Sequence, residues 1–240
     1  MTQQEADLLI YQYQGKRILN QSPEQLLAAH QKKVAFYTQR LERFLPKDKD
    51  ARIVDIPCGD GNILYFLKAL GYHHACGYDL DESRVQAAKD LGLNASVRDA
   101  FKAVQEVADC DVIFSIDFFE HIDKAAAFDL LQLMHKALKP GGKIILRTPV
   151  TDSIFGGIHL HNDFTHRWAV NSQVWEAIAG ANGFTLKAII DERPVPVGVK
   201  GFVRYWVFRL GTALIKLTLK PIQQTNYKVW SPSVWFVLQK

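Results

Sequence analysis

Residues 55–61 read Asp55-Ile56-Pro57-Cys58-Gly59-Asp60-Gly61. Two glycines one residue apart permit a tight turn and let a ligand approach the backbone closely. Two more acids, Asp79 and Asp99, close the short runs ACGYD (75–79) and ASVRD (95–99). Carboxylates gathered at the tips of neighbouring strands are costly together unless a ligand uses them. The stretch 115–122 sets an acid and an imidazole side by side, Glu120 and His121, with Asp117 just before them. Residues 156–168 hold His159, His161 and His166, three of the chain's eight histidines. In a loop after a strand, histidines suit proton transfer near neutral pH. The spacing His159-x-His161-x-Asp163 also suits a metal, but no fourth ligand is evident and no metal site is assigned. Each group has a structural duty that competes with chemistry. The glycines could simply make a turn, Asp99 could cap a helix, Glu120 and His121 could tie a loop to a helix start, and the loop histidines could bond to backbone.

Seven apolar runs supply the strands that would carry these residues: 52–56, 75–79, 95–99, 111–117, 143–148, 184–190 and 234–239. Helical patterns fall at 59–70, after Ser83, at 123–138 and at 171–182, the last capped by Asn171 or Ser172. Strands and helices that alternate from 52 to 148 predict βαβ units, hence a doubly wound, mostly parallel α/β sheet. Ligands of such sheets sit beyond the carboxyl ends of the strands. Ahead of the first strand, residues 1–46 read as a helical cap, with Ser22 as N-cap, Pro23 in the first turn and Pro46 as the stop. The remainder, 47–240, forms the main domain, with a helical insertion at 191–232 before the last strand.

VDIPCGDGNIL (54–64) resembles the first motif, (D/E)xGxGxG, of the class I S-adenosylmethionine-dependent methyltransferases. The resemblance continues through GYDLD (77–81), RDAF (98–101), CDVIFSIDFFEHI (110–122) and LKPGGKIILRTP (138–149), and covers roughly 50–190. It implies the Rossmann-like seven-stranded fold of that family, with S-adenosylmethionine as cofactor. Asp55 would then meet the cofactor's ammonium, with Pro57, Cys58, Gly59 and Gly61 beside its methionine portion. Asp79 would accept from both ribose hydroxyls, Leu80 would pack on the adenine, Asp99 would accept from the adenine amino group, and the Ala100 N–H would serve a ring nitrogen. Asp117 borders the same site. Pro57 departs from the family, which usually has a glycine there, and it removes an N–H donor. A dinucleotide-binding GxGxxG would need a small residue where Leu64 stands.

Glu120-His121 is similar to ubiquinone-biosynthesis O-methyltransferases, and NDFTHRWAVNSQVWEAIAGANGF (162–184) resembles methyltransferases of surface-polysaccharide and lipid-linked glycan pathways. The implied reaction is O-methylation of a glycan, a lipid-linked sugar or another small polar acceptor. His166 or His161 is the expected base, with His121 and Glu120 as further catalytic candidates. A quinone-type small-molecule methyltransferase and a catalytically silent binding protein are the alternatives.

The chain has 240 residues, 48% hydrophobic and 22% charged, with net charge +4, which excludes a disordered chain and argues only weakly for nucleic acid. No NPPY-type tetrapeptide follows the fourth strand, so no nucleic-acid partner is expected. Three cysteines without a CxxC pair, and an N-terminus without a basic-then-apolar leader, point to the cytoplasm. Residues 202–219 predict an apolar, aromatic and basic helix. It reads equally as a lid, a homodimer helix or a contact with the inner membrane face.

Overall fold

The structure is a computed structural model, and it describes residues 9–10, 21–153, 156–194, 196, 198–223 and 229–240. The earlier part of the expected N-terminal cap otherwise lies outside them.

All seven expected strands form: β1 (Ile53–Asp55), β2 (Cys76–Asp79), β3 (Ala95–Val97), β4 (Cys110–Ile116), β5 (Leu138–Pro149), β6 (Thr185–Asp191) and β7 (Ser233–Gln239). They make one sheet in the order β3-β2-β1-β4-β5-β7-β6. The first five run parallel, and β7 pairs antiparallel with both β5 and β6. The doubly wound α/β sheet expected from the alternation is therefore present.

Successive strand residues feed two cores, as the period of a strand requires. Val54, Ile113, Ile144 and Phe236 face one layer, with Leu130 and Trp175. Ile53, Phe114, Ile145 and Trp235 face the other, with Phe66 and Leu67. Both sides being buried explains why the central strands read as continuous apolar runs.

The helices are α1 (Pro23–Leu41), α2 (Asn62–Ala69), α3 (Glu82–Asp90), α4 (Ala100–Glu106), α5 (Lys124–Ala137), α6 (Gly156–His161), α7 (Ser172–Ala181) and α8 (Gly198–Gln223). Ser22 and Gln25 form a reciprocal capping box at the start of α1, with Pro23 in its first turn. Tyr37 of α1 packs on Phe66 at 5.4 Å and on Trp235 at 5.8 Å, so α1 shares the core of the sheet. Asn171 caps α7. Asp81 rather than Ser83 caps α3, because its carboxylate accepts from the Ser83 and Arg84 amides. The sequence pattern did not single out α4, whose seven residues are too few to show a period. The histidine segment also departs from expectation. Residues 156–161 form a short helix rather than a loop, so His161 sits on α6 and only His166 lies in an irregular stretch.

Gly61 joins β1's loop to α2 in the left-handed conformation, φ 85°, and a Cβ there would lie 2.5 Å from Leu93 Cδ1. Gly61→Ala therefore combines backbone strain with overpacking. The expected loss is about 1–3 kcal/mol of stability, measured by urea unfolding.

Candidate active site

In this strand order the direction of winding reverses between β1 and β4, so the carboxyl edge of those strands opens the crevice. Asp79, at the tip of β2, is buried and organises one side of it. Its Oδ2 accepts the Gly59 N–H at 2.8 Å and its Oδ1 accepts the Asp81 N–H at 2.9 Å. The Cys58 N–H donates to the Tyr78 carbonyl at 2.9 Å. Gly77 of β2 allows this approach, since a Cβ there would sit 2.5 Å from the Cβ of Cys58. Pro57, which has no amide hydrogen, leaves these bonds untouched.

Asp55 is 1% exposed, and its Oδ1 has no partner among the described residues. Burial, then the charges of Asp79 and Asp60, hold its carboxyl well above the usual carboxylate range. An unpartnered buried acid beside two other acids is a receptor for a cation. Leu80 follows Asp79 in the chain and is 60% exposed, an uncovered apolar surface. Asp99 caps α4, its Oδ1 accepting from Phe101 at 3.1 Å and Lys102 at 3.2 Å. That confirms the capping duty, beside the buried Ala100. Sequence reasoning missed His30. This buried residue of α1 donates from Nε2 to the Asp60 carbonyl at 3.0 Å and so ties the N-terminal helix to the glycine loop.

The other side of the crevice is built by docking residues 163–168 on residues 120–123. The Arg167 N–H donates to the Glu120 carbonyl at 2.8 Å, and Trp168 Nε1 donates to the Ile122 carbonyl at 2.7 Å. This brings the rings of His121 and His166 to 4.7 Å between centroids. Ligand atoms of Glu120, His121 and His166 all lie within 4.8 Å of one another, a spacing that could also hold a small cation.

The Thr165 hydroxyl donates to Asp163 Oδ1 at 2.6 Å, and His121 Nδ1 lies 2.8 Å from the same hydroxyl oxygen. A hydroxyl has one hydrogen. With that hydrogen on the carboxylate, Nδ1 of His121 must be the donor, which leaves a lone pair on Nε2. Burial and then the neighbouring His166 hold the His121 pKa below its ordinary value. Glu120 is 1% exposed and accepts the Thr148 hydroxyl at 3.1 Å. Burial, reinforced by Asp117, pushes its carboxyl up to about 8.

Of the other expected residues, Asp117 is engaged by Arg147 at 2.5 Å, and Arg147 also holds Glu192 at 2.7 Å. His161 is exposed on α6 and does not join the cluster. The side chain of His159 lies outside the described residues.

A family model described as a methyltransferase domain matches residues 28–189. The chain belongs to the S-adenosylmethionine-dependent methyltransferases. No curated protein matches it by sequence. Among solved structures it is similar to a SAM-dependent methyltransferase from Archaeoglobus fulgidus, at 23% identity over 86% of this chain and 94% of that one, TM-score 0.63. It is also similar to a geranyl diphosphate methyltransferase in complex with SAM, at 13% identity over 90% and 88% of the two chains, TM-score 0.59. A mycolic acid cyclopropane synthase complexed with SAH gives 17% identity over 87% and 84%, TM-score 0.57. At these identities the structures show the shared fold. This methyltransferase uses S-adenosylmethionine, as the resemblance of its motifs implied.

Glu120 keeps its proton in the folded methyltransferase to about pH 8, against 4.5 for an ordinary glutamate. Between those values the native state binds more protons than the unfolded chain, so this group lowers stability as pH rises. Glu120→Gln should flatten the pH dependence of unfolding free energy across that window. An unchanged slope in urea titrations would mean that Glu120 is ionised in the native protein.

Proposed function

We propose that this enzyme methylates a hydroxyl oxygen of a glycan, a lipid-linked sugar or another small polar acceptor, with His121 as the base and His166 beside it. The observation that carries the reading is the chain Asp163–Thr165–His121, which fixes the tautomer with Nε2 as acceptor at the crevice mouth. Among the candidates of the sequence, this moves the first choice from His161 or His166 to His121.

S-adenosylmethionine supplies a methyl group on a sulfonium, a good leaving group. Asp55 suits its ammonium, because its unpartnered buried oxygen lacks a cation. Gly59 and Gly61, with Pro57 and Cys58, flank the methionine portion. Asp79, whose carboxylate is positioned by the Gly59 and Asp81 amides, is the acceptor for the ribose hydroxyls. Leu80 faces the adenine, Asp99 Oδ2 and the Ala100 N–H reach its edge, and Asp117, held by Arg147, borders the site. Residues 1–46 act as a cap, of which the His30 bond to the Asp60 carbonyl is the visible fastening.

With S-adenosylmethionine bound, Nε2 of His121 would take the proton of the acceptor hydroxyl while the oxygen takes the methyl group and the methyl–sulfur bond breaks, its electron pair staying on sulfur to leave the neutral thioether. The imidazolium that forms is steadied by Thr165 and, through it, by the Asp163 carboxylate. The enzyme works in the cytoplasm, against the inner membrane face when the acceptor is lipid-borne.

His121→Ala should lower kcat by about 10²- to 10⁴-fold with little change in cofactor affinity, whereas His161→Ala should keep full turnover. The kcat of the wild type should fall on the acid side, below the ordinary histidine pKa of 6.5, as His121 takes up a proton. Thr165→Val should shift that acid limb. Full turnover in His121→Ala would remove the base assignment.

Asp79→Asn should weaken S-adenosylmethionine binding by about tenfold or more in calorimetric titration, and activity with it. A partner phenotype that survived this loss would favour the silent binding protein.

A further inference from the structure

We propose that the outward face of α8 docks the protein on an anionic membrane surface. Val199, Val203, Trp206, Leu210, Leu214 and Leu217 recur at helical spacing along one side, and each is exposed, from 47% at Trp206 to 82% at Val199. Tyr205, Phe208, Thr212 and Ile215 lie on the opposite side and are half-buried. The exposed stripe is therefore not the face that α8 turns to its own chain.

Helical geometry places Lys200 and Arg204 along one flank of the stripe and Arg209 along the other, all exposed. Residues 198–223 contain no acid. Apolar side chains bordered by cations on both flanks suit a helix lying in the headgroup plane, with its cations at the lipid phosphates. Two copies packed stripe to stripe would bring like charges together with no acid on the helix to offset them, which favours an anionic bilayer over a second copy. Among the described residues no helix is long and apolar enough to cross a membrane, so α8 lies on the bilayer rather than through it.

The attachment point gives docking a purpose. Lys216 Nζ sits 5.6 Å from the Trp230 ring, and the Trp230 carbonyl accepts the Ser153 hydroxyl at 2.7 Å, just beyond the carboxyl end of β5. The helix is thus fastened at the edge of the sheet that carries the site. This purpose rests on the lipid-borne acceptor proposed above, while the docking itself is measured without any acceptor.

The test is sedimentation of the full chain with phosphatidylglycerol or phosphatidylcholine vesicles. Binding to the anionic vesicles should exceed binding to the neutral ones by about tenfold or more and weaken with added salt. It should be lost in Leu210→Glu/Leu214→Glu and in Arg204→Glu/Arg209→Glu, whose S-adenosylmethionine affinity by calorimetry stays unchanged. Equal binding to both lipids, or variants that bind like the wild type, would overturn the proposal. So would a stripe-dependent dimer in ultracentrifugation that ignores vesicles. Protein that binds vesicles but not S-adenosylmethionine would uphold docking and defeat the methyl-transfer reading. The converse would overturn docking alone.

Discussion

A single buried carboxylate couples the tips of β1 and β2. Asp79 accepts from the loop after β1 and from the start of α3, so the glycine turn is shaped by an acid on the neighbouring strand. Charged acceptors of backbone N–H groups are strong when dry, and their loss is expensive. The same burial strands Asp55, which has acids on either side and an oxygen without a partner. The pocket is built with a charge imbalance that folding alone does not resolve. In the proposed arrangement a bound cation would resolve it, so the electrostatic strain of the free protein and the affinity for an ammonium-bearing ligand would have one origin.

The acceptor side follows a different rule. Residues 120–123 and 163–168 are far apart in sequence and meet through main-chain carbonyls, with Arg167 on Glu120 and Trp168 on Ile122. Backbone contacts fix position without depending on which acceptor is bound. The side chains left over, His121, His166 and Glu120, are therefore held in place before any ligand arrives, which is the condition for efficient proton transfer.

The strands were legible because burial on both faces demands unbroken apolar runs, and the cofactor side because its acids end those runs. Asp99 was legible as the cap of α4. The acceptor side was not. Thr165 and Thr148 carry no signal as residue types, and their importance comes from meeting His121 and Glu120 across the fold. The histidine cluster at 156–168 suggested one functional loop. The chain instead folds its first part into α6, which carries His161 away and leaves His166 as the member that meets His121. His30 was hidden because a lone histidine on an amphipathic helix looks like any other polar position. The sequence also left three uses open for α8, and the exposure of its apolar stripe, which the sequence could not show, is where the proposed docking starts.

The state of Glu120 also bears on the chemistry. Methyl transfer consumes positive charge at sulfur. An ionised carboxylate facing that charge would stabilise the starting state more than the transition state and slow the reaction. Burial keeps Glu120 neutral through neutral pH, so in the proposed arrangement it would bond to Thr148 without opposing the transfer. Asp55 has the opposite task, since in the proposed arrangement it meets the ammonium, whose charge is unchanged by the reaction, and attraction there adds affinity at no kinetic cost. The proposed arrangement thus separates an acid that would recover its charge on ligand binding from one that stays neutral, and burial beside different neighbours is sufficient to set both.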